Sequence, residues 1–155
     1  MITEIPDKFF LVKGWGEGST ELNALDAALI NAGIGNTNLV KVSSILPPQA
    51  KEISPIKIPE GSLVPVAYAY FISSQEEEII SAAVAVGIPQ DKRRAGLIME
   101  FSGKGEKKFI EERARQMVEE GMKIRNQKLE KIISTGIQHQ VKKVGAVFAA
   151  VVLWK

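Results

Sequence analysis

Cysteine is absent from the 155 residues, and histidine occurs once. Without thiols there are no disulfides, no thiolate nucleophile and no cysteine metal site, and a lone imidazole leaves any metal to carboxylates. An excess of one charge is missing too. The 20 basic and 18 acidic side chains leave a formal net charge of +2, and the basic residues of 104–131 alternate with Glu instead of forming a stripe that would track a phosphate backbone. No nucleic-acid partner is expected. No apolar run approaches the roughly 20 residues needed to span a bilayer, and the start Met1-Ile-Thr-Glu-Ile-Pro-Asp has neither the basic nor the apolar region of a signal peptide. These absences predict a soluble, cytoplasmic protein with no membrane partner.

What is present is an ordinary globular balance, 45% hydrophobic and 25% charged, in a chain of single-domain length. Short apolar strands are predicted at Phe9–Val12 and Asn38–Val42. Longer ones follow at Leu63–Ser73, Ile79–Ile88, Leu97–Ser102, Leu129–Val141 and Val144–Trp154. Ile79–Ile88 is rich in alanine, so periodicity alone also allows a helix there. Helices are predicted from Glu21 to Ala32 and from Glu106 to about Lys128, the second burying Ile110, Ala114, Met117, Val118, Gly121 and Ile124. Residues 49–62 are polar and proline-containing and read as a surface connection. The class is α+β, with enough apolar strands to need covering on both sides.

Gly14-Trp-Gly16-Glu-Gly18-Ser-Thr20 has the look of a phosphate loop. Ser19 stands where the dinucleotide fingerprint needs its third glycine, and no Gly-Lys-Ser/Thr ending is present. The stretch reads instead as a flexible connection into a helix, with Ser19 or Thr20 as N-cap and Glu21 in the first turn.

Three places carry candidate chemistry. Asp26 interrupts the helical stripe of Leu22, Leu25 and Leu29, so it is expected on a face that must be at least half-buried, where a carboxylate needs a partner. That partner is either a neighbouring Lys or backbone amide, or a ligand cation. Ser43-Ser44 ends a strand just before Pro47-Pro48, prolines that cannot continue a central strand. A serine pair there is also ordinary turn chemistry. Glu100 is the only charge in its strand, on the face shared by Ile98 and Ser102. His139 shares a strand face with Ile137 and Val141 and reads as a satisfied core or interface histidine with no catalytic role.

The run LNALDAALINAGIGNTNLVKVSSILPP over residues 22–48, followed by GLIMEF at 96–101, closely resembles the pyruvoyl-dependent arginine decarboxylases. The likeness covers nearly the whole chain and is dense over residues 16–48. Family members favour an aromatic residue where Leu25 stands and an aliphatic one where Thr37 stands, departures that bear on substrate preference and not on the chemistry.

The resemblance implies a four-layer αββα sandwich assembled as a homotrimer, with active sites between protomers. It also implies that the single domain 1–155 cuts itself into 1–43 and 44–155. Ser44 Oγ attacks the Ser43 carbonyl, elimination across the Cα–Cβ bond of residue 44 gives dehydroalanine, and hydrolysis leaves a covalent pyruvoyl group derived from Ser44. The ketone then forms a Schiff base with arginine, which loses carbon dioxide to give agmatine. By the same resemblance Asn38 assists cleavage, Glu100 is the proton donor, Asp26 binds the guanidinium, and Leu22, Gly35 and Thr37 line the pocket. Two other classes stay open. A pyruvoyl decarboxylase for another amino acid would treat Asp26 differently, and a non-enzymatic trimeric scaffold would stay uncut.

Overall fold

The structure, a computed structural model, describes residues 4–155. In chain order its elements are β1 (Lys8–Glu17), α1 (Glu21–Asn31), β2 (Asn38–Lys41), β3 (Ile45–Leu46), β4 (Lys51–Glu52), β5 (Leu63–Ser73) and β6 (Ile79–Pro89). They continue with β7 (Gly96–Lys104), α2 (Lys107–Ile124), β8 (Leu129–Gln140) and β9 (Gly145–Trp154). A five-stranded sheet runs in the order β2-β5-β9-β1-β4, and a four-stranded sheet in the order β3-β7-β6-β8.

Three apolar layers hold these elements together. Phe9, Ala67, Val147 and Val151 of the first sheet meet Ile80, Val84 and Ile98 of the second. Ala24 and Ala28 of α1 cover the outer face of the five-stranded sheet with Phe10, Val66 and Phe148, while Ile110, Ala114 and Val118 of α2 cover the other sheet over Ala83, Ala85 and Leu97. The result is the αββα sandwich. Strands β6 and β9 are buried on both faces, which is why they read as continuous apolar runs and not as alternating ones. That two-sided burial also overrides the helix propensity of the alanines in β6.

The glycines before α1 are not a flexible connection. Gly14 and Gly16 lie inside β1, and α1 presses on the strand there: a Cβ on Gly14 would meet Ala28 O at 2.3 Å, and one on Gly16 would meet Ala28 N at 2.5 Å. Glycine opposite alanine is what lets the helix approach so closely. Thr20 is the N-cap, accepting a hydrogen bond from the Asn23 amide. Residues 49–62 are more than a surface connection, since Lys51–Glu52 pairs with β1 and Ile58 is buried under the outer layer. In α2 Met122 turns inward and Ile124 is 79% exposed, because the helix ends there and Asn126 takes a positive φ of 58°.

Candidate active site

Ser43 and Ser44 lie where the chain steps from one sheet to the other. β2 runs parallel to β5 in the five-stranded sheet, and β3 pairs with β7 in the four-stranded one. Only Val42, Ser43 and Ser44 separate them. The Val42 amide donates to Val66 O at 3.0 Å, and Ser44 O accepts from the Ile98 amide at 2.7 Å, so the step is pinned to one sheet on each side. Between those pins the Ser43 carbonyl and both serine hydroxyls have no hydrogen-bond partner among the described residues. A peptide group fixed at both ends and free in the middle is open to attack by a neighbouring hydroxyl.

Glu100 faces the same gap. Leu97 and Met99 of β7 pack towards α2, and Ile98 packs between the sheets, so alternation turns Glu100 inward as well. Ser44 O bonds to the Ile98 amide and Ser102 Oγ donates to Tyr70 O, so Glu100 stands midway between two crossings from β7 to the edge of β5 that β2 leaves. Its Oε2 is buried with no hydrogen-bond partner among the described residues. Burial pushes the Glu100 carboxyl above its usual range, and the charge of Lys41 draws it part of the way back. This is a carboxyl biased towards its protonated, proton-donating form.

The other residues singled out in the sequence are not all gathered here. Asp26 is exposed, as is Leu22 at 75%, because α1 buries Ala24 and Ala28 in place of the Leu22–Asp26 line. The expectation that Asp26 interrupts a buried stripe is therefore corrected: three small residues, Gly14, Gly16 and Gly18, meet the alanine face and set the helix's rotation. Asp26 has no ion-pair partner among the described residues. It belongs to the outer layer, one sheet away from Glu100 of the same chain, and packed layers stand about 10 Å apart.

The loop after α1 is built by its glycines and polar side chains. Gly33 (φ 87°) closes the helix, with its amide bonded to Ile30 O and that of Ile34 to Leu29 O. A Cβ on Gly35 would strike Ile30, with Cγ1 at 2.5 Å, and Thr37 Oγ1 donates to Ile34 O at 2.7 Å. Asn38 opens β2, its side-chain amide donating to Gly61 O at 3.3 Å. It therefore sits at the far end of that strand from Ser43 in the same chain.

Sequence reasoning missed Lys41 and Ser102, whose side chains hold the carbonyls of Tyr68 and Tyr70 at 3.2 and 2.9 Å. No local pattern marks them, because they serve an edge that exists only after β2 departs. His139 is the satisfied histidine expected: it is nearly buried, Nε2 lies 2.6 Å from Glu17 Oε2, and Trp15 stacks on its ring at 4.5 Å. A cavity of about 540 Å³ opens beside that cluster, and one of about 360 Å³ is lined by Val40, Val42, Leu63 and Pro65 next to the serine step. The larger space is lined by His139 but not by Asp26, Ser43, Ser44 or Glu100, and the smaller one touches the serine step only at Val42.

A family model described as pyruvoyl-dependent arginine decarboxylase matches residues 8–155. A protein of that name from Methanocaldococcus jannaschii is 49% identical over 151 residues, covering 97% of this chain and 92% of its own. One from Methanococcus maripaludis is 46% identical with the same coverage, and one from Pyrococcus abyssi is 43% identical over 94% of each chain. Matches of this length and identity, over a chain with a serine step beside a buried acid, make it a member of the pyruvoyl-dependent arginine decarboxylase family.

Proposed function

We propose that this protein cuts itself between Ser43 and Ser44 and then converts L-arginine to agmatine and carbon dioxide. The observation that carries the reading is the buried, unpartnered Oε2 of Glu100, two residues along β7 from the Ile98 amide that holds Ser44 O.

In the uncut chain Ser44 Oγ attacks the Ser43 carbonyl carbon, the C–N bond breaks, and the amide becomes an ester with a free amine on residue 44. The bonds of Val42 and Ser44 to the two sheets hold the backbone still while this happens. Loss of the α-proton of residue 44 then expels Ser43 as a carboxylate, and water replaces the nitrogen of the resulting dehydroalanine to leave a pyruvoyl group and ammonia. The residues present fit that group: residue 44 carries the hydroxyl it derives from, and its carbonyl is held by Ile98. Once formed, the group supplies the carbonyl that takes the substrate amine and the electron sink for decarboxylation.

The chain's own side chains do the rest. Glu100, whose carboxyl burial biases towards the protonated form, delivers a proton to the carbon that lost carbon dioxide. Asp26 pairs with the guanidinium in a charge-assisted bond. Because Asp26 and Glu100 of one chain lie in different layers, the reading has Asp26 act on the substrate of a neighbouring protomer, beside the exposed Leu22 and with the Gly35–Thr37 loop as lining. Asn38, at the far end of β2 from its own Ser43, likewise acts across a subunit contact in the cleavage step. A homotrimer supplies such contacts at every site.

Denaturing mass analysis tests the first half: two pieces, 1–43 and 44–155, are expected, and a single intact chain from active protein would refute it. Carbon dioxide release from arginine, set against ornithine, lysine and histidine, tests the second. Equal rates on lysine would remove the guanidinium reading.

A further inference from the structure

The site reading leaves Lys41 unused, yet its ammonium is held in place more firmly than an exposed lysine's usually is. β2 pairs with β5 only as far as Lys41, after which the Val42 amide makes the last bond to this edge, at Val66 O. Successive even-numbered carbonyls of β5 point to that same edge, so Tyr68 O and Tyr70 O lose their partners when the chain steps to the other sheet. Lys41 Nζ takes Tyr68 O at 3.2 Å and Ser102 Oγ takes Tyr70 O at 2.9 Å. The Tyr68 ring fixes the ammonium from a second direction, 4.5 Å from its centroid.

Two adjacent carbonyls of one edge are thus capped by different chemistry. Ser102 shows that a neutral hydroxyl suffices for the task. The positive charge at the neighbouring position faces Glu100: the chain that leaves β5 at Val66 O reaches Ile98 through Ser44, and Ser102 takes Tyr70 O, so Glu100, midway between Ile98 and Ser102, lies alongside Tyr68, whose carbonyl holds Lys41.

Among the described residues the surroundings of Glu100 offer no alternative cation. Val84 stands opposite it on β6. The β5 side chains nearby are the phenols of Tyr68 and Tyr70, on the outer face of their sheet, and the inward residues of β9 are apolar. Lys41, held at Tyr68 O next to the carbonyl that Ser102 takes, is the cation on this side of the site, and its charge opposes the upward push of burial on the Glu100 carboxyl.

We propose that Lys41 is a positioning residue of this site, an anchored counter-charge that sets how readily Glu100 gives up its proton and regains it. The inference rests on the reading of Glu100 as proton donor. When Glu100 transfers its proton to the substrate carbon it becomes a carboxylate with one buried, unpartnered oxygen. The ammonium compensates that charge until solvent returns a proton. Without the cation Glu100 becomes a weaker acid: it stays protonated to higher pH but transfers its proton less readily.

Three variants separate this role from simple capping of the β5 edge. Lys41→Gln keeps a donor for Tyr68 O and removes the charge, Lys41→Met removes both, and Lys41→Arg keeps both. On the self-cleaved enzymes, Lys41→Gln and Lys41→Met are expected to move the alkaline limb of the kcat profile to higher pH. Both should lower kcat by roughly two- to fivefold, the weight of one partly exposed charge pair. KM for arginine should hold, Lys41→Arg should restore the parent profile, and Lys41→Gln should cost nothing further in a Glu100→Gln background. A Lys41→Gln enzyme with the parent pH profile would make Lys41 a capping residue only, and one that stays uncut would move its role to self-cleavage; either overturns the inference. Failure of the underlying reading shows separately, as a Glu100→Gln enzyme that keeps its turnover.

Discussion

Replacing Glu100 with Gln should remove most turnover while making the protein slightly more stable, a pairing of opposite effects that few other assignments of this residue predict. The side chain keeps its volume and loses its acid. General acids contribute roughly 10²- to 10⁴-fold, so kcat for arginine in the cleaved variant should fall by about that factor while self-cleavage proceeds. The stability arm follows from burial. A buried polar group left without a partner costs about 1–3 kcal/mol, and only one oxygen of Glu100 is so placed while Lys41 partly compensates the charge. The low end applies, about 1 kcal/mol, which for a chain of this size raises Tm by about 2–4 °C.

The pH dependence fixes the sign. Folding raises the Glu100 carboxyl above its unfolded value, so below the unfolded value both states are protonated and no penalty exists. As pH rises the unfolded state ionises first, stability falls through the interval up to the folded value, and above it the full penalty remains. Parent and variant should therefore melt together below about pH 4, under the unfolded carboxyl value, and separate at pH 8, with the variant higher. Thermal melts at the two pH values beside carbon dioxide release check both arms. Wild-type turnover would remove Glu100 as donor. A variant less stable at pH 8 would mean that the carboxylate is satisfied by a partner in the assembled protein.

Three further outcomes are expected. Ser44→Ala should give one uncut, folded chain by denaturing mass analysis, since the hydroxyl goes with little change in volume; a cut chain would mean another nucleophile. Asp26→Asn should leave cleavage intact and reduce kcat/KM for arginine by roughly 10- to 150-fold, the weight of a hydrogen bond to a charged group, whereas an unchanged value would make Asp26 a surface carboxylate. Burial pushes the Glu17 carboxyl up, but the bonds from His139 and from the amides of Lys143 and Lys142 outweigh it and hold the carboxyl below its usual value. That stabilisation is present above the unfolded value and disappears as pH falls through the folded one, so Glu17→Gln should cost about 1.5–3 kcal/mol at pH 7 and nothing in strong acid, as urea melts at the two pH values would show.

Strand content was legible because β5, β6, β7 and β9 are dominated by short apolar runs bounded by turn residues, a pattern that survives in any fold burying both sheet faces. Two-residue strands such as β3 and β4 were not, since Ile45–Leu46 and Lys51–Glu52 are strands only by virtue of what lies beside them. The rotation of α1 was misread for a related reason. Leucine spacing put Leu22 and Asp26 on the buried side, but the glycines of β1 reward close approach, and alanine is what fits that approach. The inward face of Glu100 was readable from alternation, whereas its missing partner and the field of Lys41 are properties of three strands meeting and have no signature in any one of them.

A chain cut between Ser43 and Ser44, as proposed, would have to remain folded afterwards, and the topology puts the serine pair where this would cost least. The fragment 1–43 would carry β1, α1 and β2. β1 is an interior strand, bonded along ten residues to β9 and flanked on its other side by β4, and Phe9 and Phe10 anchor it in the cores on both faces of its sheet. β2 pairs with β5. All three partner strands belong to the fragment 44–155, so each contact that secures the smaller piece crosses between the two fragments and none depends on the peptide bond between 43 and 44. Cutting inside a ladder would instead free a strand end to fray. At the step between sheets the Ser43 carbonyl has no ladder partner to lose, while Ser44 stays tied to β7 through Ile98, on the strand that also carries Glu100. On the proposed reading, the same departure of β2 from the β5 edge that leaves the Ser43 carbonyl free would also hold the new chain end on the strand that carries Glu100.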